Sequence, residues 1–404
     1  MLAGRGHDVT WWSATWSHRR KAIRTAPLGI REDEGFAMRL VAVRPYERNI
    51  SLARLASHRD FGRNFERLAT EGVAAGQLER PDMILASMPP LDSPEVATRL
   101  ARRLDAALVI DVQDLWPEAI ERVLPGPAFL RKIAAPLLLG RMRRQRQEAL
   151  AAADGVSTTT HTYLDAIRSE IPAETPTHVC YLGSYPQEFP AFSTVLNAVP
   201  LLGDEAAAVP LQCVYAGSLE VGQDLETLLA AARLLSARGV VATLHVAGTG
   251  TLEPLVRRAA ESQQGSCLIE PHGLLGRHDY VKLLASCEVG LVLVKPESLV
   301  ALPNKACDYA AAGLALVNSL PGELQTLLDA RGAGVAYRAG DPTSLAAVIA
   351  TLAADRGRVK LMRAAARQLA AAEFDRERIY PLFADWLETI PAQRSAIAAP
   401  QPPQ

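Results

Sequence analysis

Two rhythms alternate along most of the chain. Short apolar runs give way to longer stretches in which apolar residues recur every three to four positions, the pattern of strands separated by helices. Asp8–Ser13 and Met38–Val43 read as strands. Residues 51–76 then place Leu52, Leu55, Phe61, Phe65 and Leu68 on one side of an amphipathic helix. Strands follow at Asp82–Ser87, Leu108–Val112 and Gly155–Thr158, with His161 opening a helix. Residues 184–209 lose the rhythm and gain proline and polar residues, which marks a linker. A second series begins at the strand Leu211–Ala216 and the helix Leu225–Ser236. It continues through strands at Thr243–Ala247, Ser266–Glu270, Val289–Val294 and Leu314–Val317, with helices at 343–353, 357–373 and 377–388.

The pattern predicts an α/β protein of two Rossmann-like halves with parallel sheets, residues 1–190 and 191–375, then a helix at 376–390. The Ala-, Pro- and Gln-rich tail 391–404 is expected to be disordered. Leu2–His7 reads as the frayed end of a helix, whereas a doubly wound domain opens with a strand, a glycine turn and a whole helix. The first half is therefore expected to lack its first strand and glycine loop.

Composition narrows the class. A chain of 404 residues, 49% hydrophobic, 22% charged and with net charge −1, is long enough for two or three ordinary globular domains. It lacks the basic excess of a nucleic-acid binder. The five cysteines form no C-x-x-C pair and lie in apolar strands or helices, which predicts free buried thiols in a reducing compartment. No apolar run reaches the ~18 residues of a membrane span, and no signal-peptide pattern is present. A cytoplasmic protein is expected, and no metal-ligand spacing is visible.

The densest chemistry lies in Leu302–Glu323. Pro303, Asn304 and Lys305 lead into a helix that Gly313 stops. A helix N-terminus carries roughly +0.5 charge and unpaired N–H donors, so it suits phosphate, and Lys305 adds a full charge there. The alternative is a capped surface helix with Lys305 in solvent. Gly217–Asp224 is a second glycine turn leading from a strand into a helix. Asp111 and Asp114 end the strand Leu108–Val112 and point to a cleft by topology. Asp114 equally suits an N-cap, with Pro117 early in the helix. Trp11, Trp12 and Trp16 beside the basic run Ser17–Lys21 fit either lipid headgroups or a sugar ring, or a core. Residues 128–150 carry Arg131, Lys132, Arg141, Arg143, Arg144 and Arg146 among Leu, Ile and Ala. Such a helix lies on an anionic membrane or packs on a core with its basic side in water.

The run P-N-K-x-x-D-Y-x-x-A-G at 303–313, then a strand ending N-S and the dipeptide G-E, resembles the donor-site segment of family-4 glycosyltransferases. D-x-x-D-L-W-P-E at 111–118 is similar to a signature of members that build bacterial polysaccharide, lipopolysaccharide and O-antigen. The resemblance covers nearly the whole chain from Gly6 and is densest over 211–323. It implies a GT-B fold, two facing Rossmann-like domains, an acceptor half then a nucleotide-sugar donor half. The helix 376–390 would cross back to the N-terminal domain. The implied activity is retaining and metal-independent. A sugar would pass from a nucleotide-diphosphate donor, a co-substrate rather than a cofactor, to a glycan or polyprenyl-diphosphate-linked acceptor at the inner membrane surface.

By the same resemblance Lys305, Gly217 and Ser218 hold the diphosphate, with Gln223 among the donor contacts. Asp308 holds the ribose and Gly273, in the loop Pro271–Leu274, lines the base pocket. Glu297 would touch the donor sugar and Asp114 the reacting centre. Three departures stand out. Ala301 occupies the place of the first of two glutamates, Ser218 and Asp224 replace an arginine and a lysine, and Asp111 and Asp114 stand where many relatives carry a histidine. Two rival readings are a nucleotide-sugar epimerase and a non-catalytic partner subunit of the same fold.

Overall fold

The apolar runs become strands and the longer repeats helices in the computed structural model, which describes residues 1–18, 21–24, 29–31, 35–48, 51–123, 128–189 and 209–398. Two compact units emerge: residues 1–180 with those from 380 onward, and Tyr181–Ile379.

In the first unit β1 (Thr10–Ala14) pairs in parallel with β5 (Phe36–Val41), and β4 (Gly29–Arg31) adds an antiparallel edge. A hairpin of β2 (Trp16–Ser17) and β3 (Ala22–Ile23) stands apart. β6 (Met83–Met88), β7 (Ala107–Val112), β8 (Gly155–Thr158) and β9 (Thr177–Val179) form a parallel sheet in that order. The first unit thus holds the expected parallel pairing in two sheets, one of them with an antiparallel edge, beside the short hairpin. The helix Leu52–Ala74 starts where the Ser51 hydroxyl accepts the Arg54 amide. Trp12 packs against Phe65 and Trp16 against Tyr46, while Trp11 is 58% exposed, so two of the three tryptophans are packing residues.

The C-terminal helix runs Arg376–Ala398. Leu387 and Ile390 bury against Ala107 and Val109, and Phe383 and Trp386 stack on His178. It passes Pro391 and reaches Ala398, where a disordered tail from 391 is the expectation. Proline removes one backbone donor, and the Ala-, Gln- and Arg-containing stretch after it has good helix propensity. Residues 399–404 lie outside the described residues.

The basic helix spans Ala128–Ala151. Arg143 pairs with Glu121, and Arg146, 6% exposed, lies between Glu118 and Glu170 and donates to the Trp116 carbonyl. Those two arginines serve the fold. The side chains of 123–138, Arg131 and Lys132 included, lie outside the described residues. Among the described residues no helix is long and apolar enough to cross a membrane.

The second unit is one parallel sheet. Its strands are β10 (Leu211–Ala216), β11 (Ala242–Ala247), β12 (Cys267–Gly273), β13 (Val289–Val292), β14 (Ala315–Asn318) and β15 (Gly334–Ala336). They lie in the order β12-β11-β10-β13-β14-β15. Leu211, Cys213, Leu244, Ile269, Leu291 and Val317 build its core with the helices Leu225–Ala237 and Pro342–Ala354. The order reverses between β10 and β13, and connections diverging from neighbouring strands open a crevice at their carboxyl ends. All five cysteines are free, four of them buried. Most of the expected linker, 190–208, lies outside the described residues, and Tyr181–Phe189 belongs to the second unit.

Removing Arg146 leaves Glu170, 13% exposed, and Glu118 without their cation. Arg146→Met is expected to cost about 3 kcal/mol in denaturant unfolding, because an uncompensated buried charge remains. Arg67→Ala, which breaks the exposed pair with Glu71, should cost below about 0.5 kcal/mol. Equal costs would mean that the Arg146 cluster does not hold the fold.

Candidate functional site

The crevice between β10 and β13 is furnished by the helix Asn304–Ala312. Tyr309, fully buried, accepts the Ala216 amide on its hydroxyl at 2.7 Å and lays its ring on Gly290, where a Cβ would meet the ring at 2.5 Å. That side chain pins the helix N-terminus to the end of β10. From the same turn Lys305 reaches Gly217 so closely that a Cβ there would stand 2.9 Å from Nζ. Nζ lies 4.0 Å from the centroid of the Tyr215 ring and donates to Gln223 Oε1 at 3.0 Å. Gln223 is held in turn by the Tyr215 hydroxyl, 2.9 Å from the same oxygen, and by a backbone bridge to Val294. Among the described residues Lys305 has no carboxylate partner. Burial lowers its pKa to about 7, since an ammonium loses hydration there and gains no counter-charge.

The glycine turns are locked strand to strand. The Gly217 amide donates to the Ala247 carbonyl at 2.9 Å and the Gly248 amide to the Gly273 carbonyl at 2.7 Å. Gly248 has φ +135°, and a Cβ would stand 1.8 Å from the Gly217 oxygen, so no other residue fits. The Gly217 N–H is therefore committed to the sheet. Ser218, whose carbonyl accepts from the Tyr215 hydroxyl, is exposed. Gly273 ends β12 rather than sitting in a loop, because the strand runs on through Pro271 and His272. Asp224 is 3% exposed and its carboxylate accepts the Gly340 amide at 2.8 Å, so this acid faces into the fold.

The structure brings Lys305, Gly217, Ser218 and Gln223 together and places Asp308 in a cavity of its own. Asp308 Oδ1 accepts from Ser184 at 2.5 Å, and Oδ2 from Tyr280 at 3.0 Å and Arg277 at 3.3 Å. Asp308, Ser184 and Arg277 line a cavity of about 160 Å³ together with Tyr185, Glu188 and Arg376. Glu297 is exposed on the turn after β13, and the Lys295 amide ties that turn to the Gly222 carbonyl. Ala301, at the place of the missing glutamate, is buried.

In the first unit, Asp111 and Asp114 follow from β7. Asp111 accepts from Ser157 and Gln113, both at 2.7 Å, and burial raises its pKa. Asp114 accepts the Leu115 amide at 2.9 Å, and its pKa is raised by burial, with Arg54 opposing. The next helix begins at Glu118, so Asp114 is not its N-cap. Sequence reasoning missed the neighbours. Arg54 stands over the Trp116 ring at 5.1 Å and 3.4 Å from His58 Nε2, and burial pushes the His58 pKa down to about 4. The R-x-x-x-H spacing of one helical turn was the available signal.

Residues 210–355 match the family described as glycosyl transferases, group 1. Sucrose-phosphate synthase from Thermosynechococcus elongatus is a similar solved structure, with TM-score 0.70 and 16% identity over 97% of this chain and 91% of that one. HepE from Anabaena in complex with UDP follows at 0.60 and 18%, over 89% and 88%. A glycosyltransferase from Rickettsia africae ESF-5 scores 0.60 at 14%, over 96% and 92%. No curated protein sequence matches the chain. The fold is GT-B, and Lys305 and Gly217 lie within the stretch that matches the group 1 glycosyl transferases.

The titration of Lys305 can be read with inorganic pyrophosphate. The free ammonium titrates at about 7, below the ordinary 10.5. A bound anion favours the charged form, so above pH 7 binding takes up a proton. Pyrophosphate affinity should therefore fall as pH rises through 7, by up to about tenfold per unit relative to Lys305→Met. Parallel profiles for the two proteins would place the ammonium away from the anion.

Proposed function

We propose that the chain is a retaining family-4 glycosyltransferase. It moves a sugar from a nucleotide-diphosphate donor to a bacterial glycan on a polyprenyl-diphosphate carrier, at the cytoplasmic face of the inner membrane. The observation that carries this reading is Lys305: a desolvated cation without a counter-ion, set at a helix N-terminus in the crevice of a parallel sheet. Such a place is complementary to a phosphate. The group 1 match over 210–355 and the UDP complex of the Anabaena neighbour support the donor class.

In this reading the work of the donor half is electrostatic. When the sugar–phosphate bond breaks, negative charge grows on the leaving diphosphate. Lys305 and the first N–H groups of its helix stand where that charge grows, already oriented and partly out of water. Gln223 fixes the ammonium, Ser218 offers the exposed side of the glycine turn, and Gly273 borders the base pocket. Asp308, its two oxygens oriented by Ser184, Tyr280 and Arg277, holds the ribose. Glu297 contacts the donor sugar from its turn. The transfer itself asks for no metal in this scheme. The leaving phosphate helps to deprotonate the acceptor, and Asp114, with its pKa raised and Arg54 beside it, positions that hydroxyl at the reacting centre.

The test is transfer from a panel of UDP- and GDP-sugars to a polyprenyl-diphosphate-linked acceptor, with the anomeric configuration read by NMR. Retention is expected. Asp114→Asn should slow transfer at least about 100-fold while nucleotide affinity changes less than about twofold. An inverted product would remove the retaining assignment. Donor epimerised without acceptor would replace the transferase reading, and transfer unaffected by Asp114→Asn would remove that residue from the reaction.

A further inference from the structure

A second polar cluster lies across β10, β11 and β12. His245 on β11 pairs directly with Glu270 on the edge strand β12. The register then shifts, leaving His272 as the extra residue of a bulge on the same strand. Leu211, Cys213, Leu244, Val246 and Ile269 belong to the apolar core, and the polar cluster alternates with them along the strands.

The hydrogen bonds settle which nitrogen of His245 is bare. Gln212 Nε2 donates to the Pro210 carbonyl at 3.1 Å, which turns Oε1 toward the imidazole. Oε1 then accepts from His245 Nε2 at 2.8 Å, so Nε2 carries the proton and Nδ1 is a lone pair. Facing that lone pair are His272 Nε2 at 3.0 Å and a Glu270 carboxylate oxygen at 3.3 Å. A lone pair and a carboxylate repel at that distance. A proton on His272 answers His245 and leaves the half-exposed Glu270 carboxylate to water. A cation among the three answers both.

The two spacings from His245 Nδ1 match those around one ion. Donor atoms each about 2.0–2.1 Å from a tetrahedral zinc stand about 3.3 Å from one another. Here the separations from Nδ1 are 3.0 and 3.3 Å, and all three donors lie within 4.8 Å of each other. We propose that His245, Glu270 and His272 form a binding site for a divalent ion of the zinc class, with water in the fourth position. Two imidazoles and one carboxylate are the donor set of borderline metals rather than of calcium or magnesium. Gln212 acts as the outer partner that orients His245. Bound metal would clamp the edge strand β12 to β11 one residue before Gly273, whose carbonyl takes the Gly248 amide.

The full chain, stripped with chelator and titrated with zinc ion alone, should take up one equivalent. Cobalt(II) in its place should give the visible absorption of a low-coordinate site. Gln212→Ala should weaken zinc binding about 10–100-fold, and His272→Ala, on the edge strand and outside the core, should weaken it further. Zinc should raise the thermal midpoint of the wild type and leave that of His272→Ala where it is. The inference is overturned if no saturable uptake occurs, or if His272→Ala and Glu270→Gln bind zinc as the wild type does.

Discussion

The crevice of the second unit is built around an ammonium that has lost water and, among the described residues, has no carboxylate partner. Burial lowers the pKa of Lys305 to about 7, with the Tyr215 ring 4.0 Å from Nζ and Gln223 Oε1 as its hydrogen-bond acceptor. A cation–π contact and a neutral amide recover only part of an ammonium's hydration. The surrounding architecture keeps the side chain there. Tyr309 ties the helix to β10, Gly290 makes room for Tyr309, and Gly217 makes room for the ammonium. In the proposed reading the donor's phosphate would supply the counter-charge, so its affinity would arise from a desolvation cost already present at Lys305.

The same logic explains why two departures from the family pattern do not crowd this site. Asp224 occupies the place of a lysine, yet it spends its carboxylate on the Gly340 amide. Its negative charge is turned toward the connection after β15. Ala301 is buried apolar surface where a glutamate is usual. The site is left with fewer charges, and the weight on Lys305 grows accordingly.

Strands and helices were legible because their periodicities are local. Leu211–Ala216 and the helix after Pro303 lie where the pattern puts them, since a buried parallel strand is a short apolar run and a proline sets the first turn. Lys305 was legible for the same reason, as a cation at a helix start. What stayed hidden depends on register or on distant partners. The commitment of the Gly217 amide to Ala247 follows from sheet pairing. Arg54 and His58 meet Trp116 only once a helix and a strand end come together, and His245, Glu270 and His272 are neighbours through a bulge. The helix beyond Pro391 was hidden because composition speaks to solubility more than to the local helix propensity of the seven residues 392–398.

The most direct measurement is calorimetric titration of the full chain with UDP and GDP, on the wild type and on Lys305→Ala. The account predicts that one nucleotide binds and that the substitution weakens it by about 1.5–3 kcal/mol, the size of a charge-assisted phosphate contact. Equal affinity in the two proteins, or no binding of either nucleotide by the wild type, would contradict it.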